Sequence, residues 1–250
     1  MKNHESKLTA HQPLPDRAAA VALGLENYRA FVGPEHQYDF MGATQFRLLT
    51  TLGLRENHYL LDFGCGSLRA GRLFIPYLQP GHYFGLDPNK WAIEDGIENE
   101  IGRDIIKIKK PSFRYDTDFR ASHFGTTFDF IVAQSIFSHA GSDIIKTALS
   151  DFRHCLKADG IILATFIYSD PLGTIAEFEG SGWIYPGCVA YKNTTIMNFV
   201  AQCGLIGRAI PWFHPRQTWF AIAHSSKYLP SPDDDTMLQG RILRTPPITA

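Results

Sequence analysis

The chain has 250 residues, 44% hydrophobic and 20% charged, which suits one large α/β domain or a domain with a small appendage. A formal charge of −1 offers no general basic surface, so nucleic acid is not expected as a partner. Four scattered cysteines (Cys65, Cys155, Cys188, Cys203) form no CxxC pair, which argues against a zinc knuckle and fits a reducing compartment. The N-terminus lacks the apolar core of a signal peptide, and no apolar run reaches the roughly 20 residues of a membrane helix. A cytoplasmic protein without a membrane partner is expected.

Residues 1–17 are polar and proline-bearing and read as a loose or partner-docked tail. From Arg17 to Phe31 the spacing is helical, with Val21, Leu25, Tyr28 and Phe31 on one face. A second helix is expected over Thr44–Leu52, ended by Gly53. Strands follow at Tyr59–Phe63, His82–Asp87, Ser112–Tyr115, Phe128–Ala133 and Gly160–Ile167, with helices around Lys90–Asn99 and Ile144–Leu156. Strands this apolar, alternating with helices, predict a parallel sheet covered on both faces. Two more strands, near Ile206–Pro211 and Thr218–Ala223, are close enough for an antiparallel hairpin. The stretch from Pro230 is proline-rich and reads as peripheral.

The first strand runs into Asp62-Phe63-Gly64-Cys65-Gly66, where glycines allow a sharp turn and close approach of a ligand. About twenty residues on, Asp87 ends the second strand, where a carboxylate can accept bonds from both hydroxyls of a ribose. Asp62, two residues before the first glycine, suits a ligand that carries an ammonium group and no phosphate. The third glycine of a dinucleotide GxGxxG would fall at Arg69, and it is absent.

LLDFGCG, the acid of YFGLD, FDFIVAQSIFSH and LKADGIILATF, in this order and spacing, resemble the class I (Rossmann-like) S-adenosylmethionine-dependent methyltransferases. The resemblance spans roughly residues 58–168 and is strongest to the small-molecule branch, whose fourth strand ends in a Ser-aromatic-(Ser/Thr)-His run. It implies a doubly wound, mostly parallel α/β sheet with an antiparallel last strand and helices on both faces. Many members have a third alternate glycine where this chain has Leu68, with Ser67-Leu68-Arg69 expected to open the first helix. By position, Gly64, Cys65 and Gly66 would line the methionine part of the cofactor, with Asp62 near its ammonium. Asp87 would hold the ribose, and Pro88 and Asn89 would sit beside the adenine. Asp116 and Asp118 both qualify as the acid meeting the adenine amino group; Asp118, with Phe119 packing on the ring, is favoured. Gln134 and Ser135 would border the transferable methyl group.

The resemblance also divides the chain into an N-terminal helical segment and lid (1–57), a methyltransferase domain (58–225) with an acceptor-covering insertion (169–191), and a peripheral tail (226–250). His139, just past the fourth strand, is the candidate general base, or else a structural histidine bonding the following loop. Trp183, Tyr185 and Tyr191 are candidate walls for a small acceptor, with Glu177 and Glu179 for its polar groups. Tyr38, Phe40 and Gln45 are candidates from the closing segment, and Arg69, His214 and Arg216 for an acidic acceptor. No spacing suggests a metal site. Methylation of a hydroxyl or carboxyl group on a small metabolite by a monomer or homodimer is expected. The alternatives are non-methyl transfer or cyclisation releasing methylthioadenosine, and a non-catalytic binding subunit of the same fold.

Overall fold

The computed structural model describes residues 27–169 and 175–239. The expected helix from Arg17, with Val21 and Leu25, lies mostly outside them. Within the described residues a separate short helix, α1 (Tyr28–Phe31), starts afresh after the extended Asn27, whose side chain caps it by accepting from the Arg29 and Ala30 amides, so the expected helix does not run unbroken to Phe31.

Helix α2 (Tyr38–Thr51) precedes β1 (Leu60–Phe63), α3 (Gly71–Tyr77), β2 (Tyr83–Leu86) and α4 (Lys90–Gly96). A π turn at Ile97–Ile101, α5 (Arg103–Lys109) and β3 (Ser112–Arg114) complete the first half. Then come β4 (Phe128–Ala133), α6 (Ser142–Cys155), β5 (Leu156–Tyr168), β6 (Ala190–Tyr191), α7 (Asn193–Gln202), β7 (Ile206–Ile210) and β8 (Thr218–Ala223).

The sheet order is β3-β2-β1-β4-β5-β8-β7, with short β6 paired to β5. Strands β3 to β5 run parallel, and β8 is antiparallel to both β5 and β7. The doubly wound reading with a reversed last strand therefore holds. Alternate residues of one strand feed opposite cores: Leu61 and Phe63 join Phe152 and Ile196 on one side, and Leu60 joins Leu48, Phe74 and Ile93 on the other. Strand order reverses between β1 and β4, which opens a crevice at their carboxyl ends.

Several boundaries differ from expectation. Helix α2 starts six residues early, because Tyr38 and Met41 are buried against the rest of the domain. Ser67–Ala70 form a turn, and α3 begins only at Gly71. Helix α6 passes into β5 with no loop. Helices α5 and α7 are not evident from the sequence. The Asn-Thr-Thr start of α7 is a poor helix former, yet the helix buries Ile196, Phe199 and Val200. The described part of the stretch expected to be peripheral, residues 226–239, is seated on the sheet edge: Asp235 pairs with Arg208 of β7, and Leu238 is buried.

Candidate functional site

The crevice begins with the turn after β1. Gly64, Gly66 and Leu68 all have left-handed backbone, with φ of +75°, +50° and +60°. The third alternate position thus keeps the glycine conformation while carrying a leucine. A left-handed non-glycine residue costs roughly 1–2 kcal/mol. Leu68 offsets this because its side chain is fully buried between α3 and the Gly96 turn of α4. The turn is anchored from both sides: the Gly64 and Cys65 amides donate to Leu86 O (2.7 and 3.2 Å), and the Tyr38 hydroxyl donates to Ser67 O (2.8 Å).

Asp87 ties the second strand to this turn. Its Oδ2 accepts the Gly66 amide (2.9 Å), and its Oδ1 accepts both the amide and the side-chain nitrogen of Asn89 (2.8 and 2.9 Å). A carboxylate has about four lone-pair sites, so capacity remains for a ligand hydroxyl. Burial raises the Asp87 carboxyl above its usual range, against the pull of the Asn89 and Gly66 hydrogen bonds. Asp62 is also buried and accepts the Tyr83 hydroxyl at 2.8 Å. Burial pushes it up to about 6, while Tyr83 and the Arg69 charge oppose the rise. Burial likewise brings Arg69 down to about 10. Arg69 reaches across to donate to Val32 O at 2.6 Å, clasping the segment after α1.

These groups share one cavity of about 630 Å³, a size typical of cofactor sites. The structure brings to it Asp62, Gly64, Cys65, Gly66, Arg69, Asp87, Pro88, Asn89, Phe119, Gln134, Ser135 and His139, together with Gln45, Trp183, Tyr185, His214 and Arg216. Phe119, at φ +54°, stacks obliquely on Trp183 with centroids 4.6 Å apart. Ser135, at φ +62°, receives its backbone orientation from the Thr165 hydroxyl, which accepts its amide at 2.7 Å.

Several expected residues, Tyr38, Phe40, Asp116, Asp118, Glu177, Glu179 and Tyr191, do not line it. Tyr191 is 1% exposed and donates to Ala140 O, so it packs the insertion onto the core and is not an acceptor wall. Tyr38 lies beneath the glycine turn, its hydroxyl spent on Ser67. Asp118 has a half-exposed side chain 3.9 Å from His123 and does not line the cavity. Its rival Asp116 is engaged by Arg114 at 2.5 Å. Asp116, Asp118 and His123 do approach one another closely on the surface, as exposed acidic groups commonly do. Glu177 pairs with Lys192, and Phe40 packs on Phe213, both away from the cavity.

The two histidines of the cavity are fixed in opposite tautomers. His139 Nδ1 lies 2.6 Å from Gly187 O, an atom that only accepts, so the ring proton sits on Nδ1 and the Nε2 lone pair is left open. Burial and the Arg216 charge hold its pKa below the ordinary value, so the ring is neutral near pH 7. The two readings of His139, base or loop anchor, are thereby compatible: one nitrogen anchors and the other is open. The backbone supports this arrangement, since Ile184 donates to His139 O and Val189 to Ser138 O. In His214 the Nδ1 atom accepts the Arg216 and Gln217 amides (3.2 and 3.0 Å), which forces the proton to Nε2, 3.5 Å from Ser135 Oγ. His214, brought down to about 4, is a permanent neutral donor.

Gln134 is 7% exposed, and neither atom of its amide has a partner. A buried amide left unpaired is costly, and one lining a cavity is a group waiting for a ligand. Sequence reasoning missed Val32, Ile136, Cys188 and Gln217 on the cavity surface. Only Gln217, directly before β8 and beside His214, carried a positional signal.

Comparison with known proteins agrees with this geometry. Residues 61–162 match the family model described as a methyltransferase domain. The fold is similar to magnesium protoporphyrin IX methyltransferase from Synechocystis PCC 6803, solved with bound SAM (12% identity, TM-score 0.56, covering 83% of this chain and 94% of that one). It is also similar to a S-adenosylmethionine-dependent methyltransferase from Clostridium acetobutylicum (10% identity, TM-score 0.57, 81% and 98% covered). An O-methyltransferase family protein from Burkholderia thailandensis matches at 14% identity and TM-score 0.55, over 84% of this chain and 63% of that one. At such identities the structural likeness is one of fold.

Proposed function

We propose that this chain is a class I S-adenosylmethionine-dependent methyltransferase that methylates an oxygen of a small hydroxylated or carboxylated metabolite; the methyltransferase-domain match over residues 61–162 supports the reaction class. The observation that carries the reading is the shared cavity. It is lined by the carboxylates Asp62 and Asp87, the unpartnered Gln134, and His139, whose Nε2 is left unbonded.

S-adenosylmethionine supplies an electrophilic methyl carbon activated by its sulfonium. Asp62 would receive the ammonium group and Asp87 a ribose hydroxyl, with Pro88, Asn89 and Phe119 flanking the adenine. Gly64, Cys65 and Gly66 bring bare backbone against the methionine part, and Gln134 and Ser135 border the methyl end. Residues 30–45 act as the lid, clasped by Arg69. The catalytic demand is alignment plus loss of a proton from a hydroxyl acceptor, and His139 Nε2 takes that proton. Trp183, Tyr185 and Gln45 wall the acceptor. The name of the Burkholderia thailandensis relative supports oxygen as the target.

Calorimetry with S-adenosylhomocysteine, followed by product analysis over a hydroxy-acid library, tests this reading. Binding plus S-adenosylhomocysteine release supports it. Methylthioadenosine as product points to cyclisation instead, and failure to bind refutes it.

A further inference from the structure

The β8 side of the cavity is built from donors. Arg216 lines it, and among the described residues no carboxylate lies within ion-pair distance of its guanidinium. Beside it His214 carries a fixed Nε2–H, whose nearest partner is Ser135 Oγ at a long 3.5 Å, a contact a stronger acceptor would replace. Gln217 Nε2 donates to Ser135 Oγ at 3.0 Å, which occupies that oxygen as acceptor and leaves the hydroxyl proton free to donate. The buried Gln134, with both amide atoms unpaired, adjoins Ser135 in the same wall.

The two cavity carboxylates, Asp62 and Asp87, belong to β1 and β2, the far side of the crevice in strand order. Arg69 stands between: its charge acts on both Asp62 and His214. The bound cofactor's ammonium and carboxylate answer Asp62 and Arg69, and its sulfonium then adds positive charge toward the acceptor. Arg216, exposed at the cavity's edge, is left without a counter-charge.

We propose that the acceptor is an anion whose carboxylate or phosphate-type group is held by the Arg216 guanidinium and the His214 Nε2–H, which sets its hydroxyl against His139. This rests on the methyl-transfer reading above. A neutral histidine donor beside an arginine suits an anion that must be bound at every physiological pH, since neither group loses its proton there. Arg216 acts electrostatically on both His139 and His214, so an anion paired with it lies within reach of the base.

The test uses the full chain saturated with S-adenosylhomocysteine and follows the His214 ring resonance by NMR, assigned with His214→Gln. Inorganic phosphate, benzoate and uncharged benzamide are titrated in turn. Benzoate or phosphate should shift the resonance at millimolar concentration and benzamide should not; which anion binds more tightly separates a carboxylate from a phosphate ligand. Arg216→Gln, an exposed change that leaves the core intact, should weaken anion binding about 10- to 100-fold. Equal responses to benzoate and benzamide, no response to either anion, or an undiminished response in Arg216→Gln would overturn the proposal. Failure of S-adenosylhomocysteine to bind at the outset is a separate result that removes the methyltransferase reading itself.

Discussion

The Tyr83 hydroxyl donates to Asp62 at 2.8 Å across adjacent strands, both groups buried beneath the glycine turn. Without that bond and the nearby Arg69, burial would hold Asp62 protonated still further up the pH scale. An ammonium ligand needs the ionised form. Cofactor affinity should therefore weaken as pH falls through about 6, the folded-state value for Asp62. Tyr83→Phe should move this loss to higher pH. For the free protein the sign is opposite: a raised carboxyl contributes stability only while protonated, and that contribution disappears as pH rises through about 6. Calorimetric titrations with S-adenosylhomocysteine from pH 5 to 8 are decisive; identical pH dependence in wild type and Tyr83→Phe would contradict the assignment.

Leu68 gives a test of backbone against burial. Its φ of +60° favours glycine, while its fully buried side chain favours leucine. Leu68→Ala loses the packing and keeps the strain, at about 2–5 kcal/mol. Leu68→Gly loses the same packing but relieves the strain, so it should be the more stable of the two by about 1 kcal/mol, the reverse of the order in a helix. Urea unfolding of both variants measures this directly. An alanine variant as stable as the glycine one would mean that the left-handed turn is not strained.

His139→Ala should lower kcat about 10²- to 10⁴-fold with a hydroxyl acceptor, with much smaller change in cofactor affinity. Because burial and Arg216 hold the imidazole below its ordinary value, the wild-type rate should fall only on the acid side of that range. Arg216→Gln removes a neighbouring positive charge, so the acid limb should shift to higher pH. A kcat profile unmoved by either change would assign His139 to anchoring Gly187 alone.

Glu100 couples the lid to the domain. Its largely buried carboxylate pairs with Arg29 (2.5 Å) and Arg72 (3.3 Å) and accepts the Tyr28 hydroxyl (2.9 Å). Glu100→Gln leaves Arg29 and Arg72 with only the exposed Asp39 carboxylate as counter-charge (3.5 and 2.7 Å) and should cost about 1–3 kcal/mol. The loss should fall on α1, with faster hydrogen exchange over residues 28–33 and about tenfold weaker cofactor binding. Unchanged exchange there would show that Arg69 and Val32 alone hold the lid.

The cofactor side of the cavity was legible in the sequence because it is built from contiguous segments. Asp62 through Gly66 and Asp87 through Asn89 each sit at a strand end, where hydrophobic pattern and glycine placement fix both position and exposure. Asp118 shows the limit: its neighbour Phe119 enters the cavity and it does not, because a left-handed residue in an irregular loop redirects the chain. Tyr191 shows another, since an aromatic residue in a loop packs or lines according to its partner, here the carbonyl of Ala140.

What the sequence determined by itself is the alternation of strands and helices, the crevice at their carboxyl ends, and the paired acids flanking a glycine turn. These follow from local periodicity and steric rules. What only the tertiary structure decided is the protonation and charge of the acceptor side. The open nitrogen of His139 depends on Gly187, 48 residues on, and the Nε2 proton of His214 faces Ser135, 79 residues before it. A histidine's tautomer and an arginine's missing partner are properties of three-dimensional surroundings. No spacing along the chain encodes them.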